Sequence, residues 1–284
     1  MSSILRPIRI HVWGGLGSQL FAYALSLDLK SRFPSRRSTI VFHSSGVSRR
    51  LPELLEIANI DSFEVLDDYA HEELVDDQSI KSRKSWLRQS LKAFLKYVGV
   101  LATANDDSQF RKVKWWVISI RGHYSYRHIE QNFFLRLETL LSERKIKSAI
   151  DLQSALVVHY RLGDLVNLVE KCPDDPELVR REILHIYSRL TPIDCVVFSD
   201  SPDLAAQTLN IEKIVEPRSL ELNAIDTLIV CAKCRYFIGS SSKLSYWTVA
   251  LRCNVFQSPS SLPSKQKHLV HDLTRGSNLV SYFE

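Results

Sequence analysis

The stretch HVWGGLGSQLFAYALSLDLK, from His11 to Lys30, decides the fold of the first half of the chain. A β-branched and aromatic run at 8–13 precedes three glycines in four residues, and an amphipathic pattern follows from about Ser18 to Phe33. A strand, a tight turn and a helix in this order begin a β-turn-α unit.

The glycine turn, Gly14 to Gly17, does not match a dinucleotide fingerprint. A GxGxxG motif that starts at Gly15 needs a third glycine where Leu20 stands. The turn nonetheless precedes a helix, and backbone N–H groups at a helix N-terminus can bind an anion. The sequence therefore leaves two interpretations, a phosphate contact and a plain tight turn.

Strands and helices alternate along both halves of the chain. Ser38 to His43 is a second strand, Val113 to Ile120 is a candidate strand and Tyr126 to Lys147 a candidate helix. The later elements are strands at 155–160, 195–199, near 214 and 236–239, and helices at 176–190, from 203, 221–233 and 243–251. We predict two Rossmann-like α/β domains, 1–150 and 151–284, that face a central cleft at the carboxyl ends of their strands.

The composition is that of a globular protein large enough for two domains. The 284 residues are 45% hydrophobic and 24% charged, close to the average. The longest apolar runs are shorter than the roughly 18 residues that a membrane-spanning helix needs. The first residues show no secretory pattern, so we expect a cytoplasmic protein.

The five cysteines do not form the framework of a small disulfide-rich protein. Cys231 and Cys234 form a CxxC pair, but no second pair with zinc spacing accompanies it. We therefore expect no metal, and buried cysteines on a helix.

The charge is unevenly distributed. An acidic region at 61–77 is followed by a basic one at 81–97, in which apolar residues recur at helical spacing. Such a basic amphipathic helix favours peripheral contact with an anionic membrane, here the inner face of a membrane. The alternative is that its apolar stripe packs on the protein. No nucleic-acid-binding signature accompanies it, and we expect no nucleic-acid partner.

An apolar strand ends in charged residues at Val157-Val-His-Tyr-Arg-Leu-Gly-Asp164. If the strand continues, alternation places His159, Arg161 and Gly163 on one side. Arg161 can then bind a phosphate with charge-assisted hydrogen bonds. The alternative is a salt bridge between Arg161 and Asp164.

A third candidate is Gly239-Ser-Ser-Ser-Lys-Leu-Ser-Tyr-Trp247. Ser240, Ser241 and Ser242 come between a strand and a helix, where hydroxyls serve as caps or as donors to an anion. Asp226 stands alone in the apolar run 225–230. A buried carboxylate needs a partner, and guanine offers two parallel donors; an ordinary surface aspartate is the alternative.

Taken together, these motifs resemble the α-1,2-fucosyltransferases of glycosyltransferase family 11. Gly14-Gly-Leu-Gly-Ser-Gln-Leu-Phe-Ala-Tyr-Ala24 is similar to the family's GGLGNQxFxYA, and His159-Tyr-Arg-Leu-Gly-Asp164 to HxRRGD. Phe198-Ser-Asp-Ser-Pro-Asp203 resembles FSDDPE, and Ser241-Ser-Lys-Leu-Ser-Tyr-Trp247 resembles NSTFSWW. Their order and spacing match from residue 10 to about 251.

The resemblance implies a GT-B fold and an inverting transfer of L-fucose from GDP-fucose to a glycan. The hydroxyl would be the 2-OH of a terminal galactoside, as in bacterial surface polysaccharide or O-antigen synthesis. The family needs no obligatory metal and no cofactor besides the donor substrate. The partners would be a nucleotide sugar and an oligosaccharide or lipid-linked glycan acceptor. Residues 1–150 would form the acceptor side and 151–284 the nucleotide-sugar side.

The resemblance also assigns roles to residues. Arg161 would hold the β-phosphate, His159 and Asp226 would contact guanine, and the turn Ser240 to Ser242 would contact the pyrophosphate. The opposite wall of the donor site would consist of Gly14, Gly15, Gly17, Ser18 and Gln19.

The chain departs from the family pattern at Ser18, which replaces Asn, and at Leu162, which replaces the second Arg. Lys243, Leu244 and Tyr246 alter the last motif. These changes leave open another nucleotide sugar, or a nucleotide-sugar-binding relative without activity.

The catalytic base has three candidates in the sequence. Asp164 is nearest to Arg161, Glu170 lies six residues further in a loop, and His11 lies in the first strand. Asp164 could instead orient Arg161, and Glu170 could be a surface charge.

Overall fold

The computed structural model describes residues 6–45, 49–69, 90–104, 107–122, 129–144, 146, 155–162, 175–187, 194–210, 214–215, 222–234, 236–240, 242–252 and 280–282. The chain divides into two compact units, Met1–Ile129 and Glu130–Glu284. Each unit contains its own five-stranded sheet with helices in the connections. Both are Rossmann-like α/β units, as the alternation of strands and helices predicts.

The first unit begins with the predicted strand, glycine turn and helix. Its elements are β1 (Ile8–Trp13), α1 (Leu16–Arg32), β2 (Ser38–His43), a 3₁₀ turn (Glu53–Glu56), β3 (Phe63–Leu66), α2 (residues 90–97), β4 (Leu101–Thr103), α3 (Asp107–Arg111) and β5 (Ser119–Arg121). The strand order is β3-β2-β1-β5-β4, and the pairings are parallel.

Alternation along β1 separates an apolar face from a polar one. Ile8, Ile10 and Val12 are buried, and α1 packs against β1 and β2. The intervening residues, Arg9 and His11, belong to the other face of the sheet. One face of β1 therefore forms core, and the other carries groups capable of chemistry.

The second unit repeats the α/β arrangement. Its elements are α4 (Gln131–Ser142), β6 (Leu156–His159), α5 (Pro176–Tyr187), β7 (Cys195–Phe198), α6 (Pro202–Leu209), β8 (Ile214–Val215), α7 (Ala224–Lys233), β9 (Tyr236–Gly239), α8 (Lys243–Leu251) and β10 (Val280–Tyr282). The order is β10-β9-β6-β7-β8, with only the pairing of β10 to β9 antiparallel among these described strands.

The central strand β6 is buried on both faces. Leu156 and Val158 belong to one hydrophobic cluster, and Val157 belongs to another with Phe237 and Val249. Continuous apolar sequence is the pattern expected of a parallel strand covered on both sides.

The division between the units differs from the sequence expectation of residue 150. Helix α4 belongs to the second unit, because the rings of Phe133 and Phe134 lie 5.4 and 5.9 Å from the fully buried ring of Trp247 in α8. The break therefore falls between Ile129 and Glu130. Periodicity in the α4 segment shows that it has an apolar face, but not which core covers it.

The region before this break also corrects the sequence prediction. Val113 to Ile120 was expected as a strand, but only Ser119–Arg121 is one. Residues 113–117 form turns instead, in which Val117 N–H donates to the Lys114 carbonyl. The buried guanidinium of Arg36 donates to the carbonyls of Trp115 and Val117. Arg36, which is distant in sequence, thus holds these turns by its hydrogen bonds, and this tertiary contact outweighs the local preference for a strand.

Within the described ranges, no helix combines the length and the apolar character needed to cross a bilayer.

The glycine turn provides a test of the local backbone. Gly14 has φ of +115°, and an added Cβ would lie 2.9 Å from Ser18 Oγ. We expect Gly14→Ala to lower the free energy of unfolding by about 1–3 kcal/mol. Gly15 is the control because its φ of −76° is ordinary for any residue. Urea denaturation measures both variants, and equal losses would contradict the assignment.

Candidate functional site

The strand order of the second unit creates a switch point beside β6. The chain leaves β6 for β7 on one side and later returns to β9 on the other. Ligands of open α/β sheets bind outside the carboxyl ends of the strands at such a point. Here those ends are His159 and Gly239, which are paired in register.

Ser240 joins the two loops that leave this switch point. Its backbone N–H donates to the His159 carbonyl at 2.8 Å. Its Oγ accepts the backbone N–H of Arg161 at 3.0 Å. The structure therefore brings together the histidine-arginine motif and the serine turn, two of the sequence-predicted site segments.

Glycine at 239 permits α8 to begin close to the sheet. A Cβ at this position would lie 2.8 Å from Cβ and Oγ of Ser245, a distance that requires something to move. The small residue thus allows the first turn of α8 to reach the end of β6.

Three polar side chains form a chain of hydrogen bonds here. Ser242 is the N-cap of α8, and its Oγ accepts the Ser245 N–H at 3.0 Å. The Ser242 hydroxyl donates to Ser245 Oγ at 3.1 Å, and Ser245 Oγ lies 2.9 Å from His159 Nδ1. Ser242 Oγ also lies 3.3 Å from the same nitrogen, so the two hydroxyls together hold the ring in place.

The imidazole of His159 is held neutral. Burial is the largest cause that lowers its pKa, to about 4, and the charge of Arg161 adds to it while Asp200 opposes it. At neutral pH the ring is therefore uncharged.

Arg161 supplies the cation at this edge. Its side chain is 33% exposed, and its Nε lies 3.9 Å from Asp200 Oδ2. The other carboxylate oxygen of Asp200 accepts the backbone N–H of Leu162 at 2.9 Å. Asp200 thus positions the loop, while the Arg161 side chain stays partly exposed. A guanidinium and a helix N-terminus beside a neutral imidazole are suited to a phosphorylated ligand.

Leu162 lies in the hydrophobic core of the second unit. Its side chain is 3% exposed and belongs to the same hydrophobic cluster as Val158 and Tyr160. The family motif has an arginine at this position, but the leucine here is part of the core.

Asp226 has partners within the protein. With Asn223 it forms a capping box at the start of α7. Its Oδ1 also accepts Arg144 Nε at 2.6 Å. The carboxylate is only partly buried, and an arginine of the same unit is one of its partners.

A carboxylate of the chain itself lies at the glycine turn of the first unit. The Leu16 N–H, in the first turn of α1, donates to Glu53 Oε2 at 2.6 Å. Burial is the main cause that raises the pKa of Glu53, and this hydrogen bond opposes the shift. A carboxylate of the chain itself thus lies where the sequence suggested a phosphate.

The side chain of Gln19 holds this turn in place. Its amide donates to the carbonyls of Gly14 and Leu51 at 3.2 and 2.6 Å, and its Oε1 accepts the Leu54 N–H at 2.9 Å. Ser18 N–H donates to the Gly15 carbonyl at 2.9 Å. Gly17 lies in the first turn of α1. Contact of these residues with a donor stays a prediction.

Three other predicted site residues, Asp164, Glu170 and Ser241, lie outside the described residues. The alternative salt bridge of Arg161 with Asp164 is therefore untested.

The cysteines of the CxxC pair are buried, as expected. Burial raises the pKa of Cys231, and the Cys234 thiol donates to the carbonyls of Cys231 and Tyr236, both at 3.2 Å. No group of metal-ligand residues occurs within the described part of the chain.

Sequence reasoning missed several residues that organise these sites. Asp200 lies in the Phe198–Asp203 motif at the end of β7, a position that could have indicated its role. Ser245 lies one turn after the cap, inside the motif that runs from Ser241 to Trp247, and its place in that motif was the signal that could have indicated it. Glu53 and Arg144 are ordinary charged residues in sequence, and only folding brings them to their partners.

No family model matches the sequence, and no curated protein matches it. Among solved structures it is similar to NodZ, an α-1,6-fucosyltransferase soaked with GDP-fucose. They share 13% identity over 87% of this chain and 92% of that one, with a TM-score of 0.41. It is also similar to a Staphylococcus aureus MnaA–UDP structure. They share 10% identity over 87% of this chain and 78% of that one, with a TM-score of 0.47. For a family 9 glycosyl transferase of Veillonella parvula, the identity is 11% over 88% of this chain and 79% of that one, with a TM-score of 0.39. Similarity at this level assigns no function or substrate to the chain.

The lowered pKa of His159 predicts a pH effect on stability. In the unfolded chain this group titrates near 6.5, and in the folded chain near 4. Between these values the unfolded state binds more protons, so stability falls as the pH decreases from 6.5 to 4. We expect His159→Gln to have a shallower pH dependence than the wild type in thermal unfolding. Identical slopes would contradict the assignment.

Proposed function

We propose that this chain is an inverting glycosyltransferase of the GT-B class that transfers L-fucose from GDP-fucose to a glycan hydroxyl. One observation supports it most: the hydrogen bond that joins Arg161 to Ser240, residues 79 positions apart, at the switch point of the second sheet. These are the segments that resemble the donor-binding motifs of the family 11 fucosyltransferases.

The chemistry of this edge suits a diphosphate leaving group. Arg161 contributes a cation and the first turn of α8 contributes backbone N–H groups, and the neutral ring of His159 adds no further charge at this edge. As the bond between the anomeric carbon and the phosphate oxygen breaks, its electron pair leaves with the nucleotide. Preorganised donors that stabilise this charge are expected to account for much of the rate enhancement.

Transfer requires a second, simultaneous change at the acceptor. Its hydroxyl oxygen forms a bond to the anomeric carbon and loses its proton to a base. For the acceptor we propose the 2-OH of a terminal galactoside in a surface glycan, on the strength of the family resemblance alone.

A second donor class is favoured by one contact. Asp226 is already paired with Arg144 at 2.6 Å, so a guanine would have to share that carboxylate. A glycosyltransferase that uses a different nucleotide sugar is therefore the alternative, and a silent nucleotide-sugar-binding protein is the other outcome of the tests.

Nucleotide binding tests the donor site. We expect GDP to raise the melting temperature more than UDP, dTDP or ADP. Loss of a charge-assisted hydrogen bond costs about 1.5–3 kcal/mol, so Arg161→Ala should weaken GDP binding by roughly tenfold or more. Calorimetry measures the affinities.

Arg180→Ala is the matched control, because Arg180 is a half-exposed arginine in α5 of the same unit. Equal shifts with all four nucleotides would contradict the guanine assignment. Unchanged GDP affinity in Arg161→Ala would overturn the donor site. Turnover with GDP-fucose and galactosides separates an enzyme from a silent binder.

We also propose that the first unit contacts an anionic membrane surface. Residues 81–89 of the predicted basic helix lie outside the described residues, but α2 continues it. Leu91, Phe94 and Tyr97 of α2 are 57, 60 and 89% exposed. The apolar stripe is therefore not packed on the protein at these positions.

Two tryptophans extend this surface. Trp116 is 42% exposed and donates from Nε1 to the Val98 carbonyl at 3.0 Å, and Trp115 is 52% exposed. The same two segments contain exposed basic residues: Lys92 and Lys96 in α2, and Arg111, Lys112 and Lys114 just before the tryptophans. Aromatic rings among cations are typical of surfaces that bind anionic lipid headgroups.

Flotation with vesicles that contain phosphatidylglycerol tests this membrane surface. We expect binding at low salt that weakens as salt screens the cations, and a loss of severalfold in Phe94→Ser. Phe63→Ser is the control, since Phe63 is a 48% exposed aromatic in β3. No flotation of the wild type at low salt would reject the proposal.

A further inference from the structure

A second cluster of titratable groups lies at the carboxyl edge of the first sheet. His11 lies near the end of β1, His43 ends β2, and Asp68 follows the end of β3. These three strands are adjacent and parallel, so their carboxyl ends meet at one edge. Neither the glycine turn nor the donor motifs include this cluster.

Short hydrogen bonds connect the three side chains in one line. Asp68 Oδ2 lies 2.6 Å from His43 Nδ1, and His43 Nε2 lies 2.9 Å from His11 Nδ1. The carboxylate accepts, so His43 Nδ1 carries a proton. When His43 is neutral, its Nε2 accepts from His11 Nδ1–H, which makes Nε2 the basic nitrogen of His11.

The charges around the line keep its two ends in defined states. Burial raises the pKa of Asp68, but hydrogen bonds from His43 and Ser45 outweigh it and hold the value at about 2. The pKa of His11 is lowered to about 4, chiefly by burial and further by Arg121, His43 and Arg9. At neutral pH a carboxylate thus lies at one end of the line and an uncharged imidazole at the other.

The two ends also differ in exposure. His11 and His43 are 7 and 9% exposed, whereas the side chain of Asp68 is 40% exposed. A proton that enters at the buried histidine therefore has a path to solvent through the carboxylate.

An aromatic ring covers the histidines. The Trp13 ring is stacked on His43 at 4.1 Å and on His11 at 5.8 Å. Trp13 itself is 39% exposed, with the Arg121 guanidinium 5.5 Å from its centroid. A partly exposed indole beside a base provides an apolar surface against which a sugar ring can pack.

We propose that Asp68, His43 and His11 form a proton relay that deprotonates the acceptor hydroxyl, with His11 as the catalytic base. The inference rests on the proposed glycosyl transfer and assigns the base that this reaction needs. The hydroxyl proton moves to His11 Nε2, and the Nδ1 proton of His11 moves to His43 Nε2. The resulting His43 imidazolium is paired with the Asp68 carboxylate, while the acceptor oxygen bonds to the anomeric carbon and the nucleotide departs with its electron pair.

Kinetics of three variants test the relay. General base catalysis contributes about 10²–10⁴-fold, so we expect His11→Gln to lower kcat at least 100-fold. Asp68→Asn should lower kcat less, and the KM for the donor should stay close to the wild-type value in both. Asp67→Asn is the control, because Asp67 accepts from Ser44 and Arg49 and should retain wild-type kcat.

The pH profile separates a proton-transfer role from a structural one. The negative charge of Asp68 stabilises the protonated form of the two histidines, whereas the positive charges of Arg9 in β1 and Arg121 in β5 destabilise it. Without the carboxylate the relay protonates at lower pH, so the acidic limb of kcat/KM should move to lower pH in Asp68→Asn. A purely structural role would lower activity without moving this limb.

The outcomes distinguish the relay from the proposed function. A GDP-induced rise in melting temperature in every variant shows that each variant is folded and binds the nucleotide. Normal kcat in His11→Gln, with an active wild type, would overturn the relay and leave the glycosyltransferase standing. A wild type that binds GDP but transfers no sugar from any donor would overturn both.

Discussion

The parallel register of β6 with its two neighbours is the constraint on which the second unit depends. It places His159 beside Phe198 on one side and Gly239 on the other. The loops that follow must therefore start at one edge, and Arg161, Asp200 and Ser240 become neighbours although their sequence positions are distant. Buried apolar strands hold this register, because a shift of one residue would turn Leu156 and Val158 to the opposite face.

The two units illustrate how one local pattern acquires different partners. Both contain a strand, a small-residue turn and a helix N-terminus. In the first unit Glu53 provides the anion that the Leu16 N–H binds. In the second unit Ser242 caps α8 with a neutral hydroxyl, and the nearby cation is Arg161. A neutral cap leaves the N-terminus of α8 without the built-in charge that α1 has, and this difference is one basis of the proposal that α8 binds an external anion.

Local patterns predicted much of the fold. The bounds of β1, β2 and α8 follow from apolar runs, glycine turns and caps, which depend on neighbours in sequence. The predictions failed where distant groups decide. Arg36 holds residues 113–117 in turns, and Trp247 draws α4 into the second unit. For the candidate site, His159 and Arg161 could be singled out because polar side chains at the end of a buried apolar strand are not explained by packing.

By itself the sequence determined two α/β units and the positions of their glycine and serine turns. These features follow from side-chain periodicity and backbone preference. Only the tertiary structure decided that Arg144 pairs with Asp226 and that Glu53 accepts the hydrogen bond from the first turn of α1. It also decided that His11, His43 and Asp68 form one line of hydrogen bonds. Such pairings depend on which strands are adjacent, and adjacency is a property of the folded sheet that no local pattern encodes.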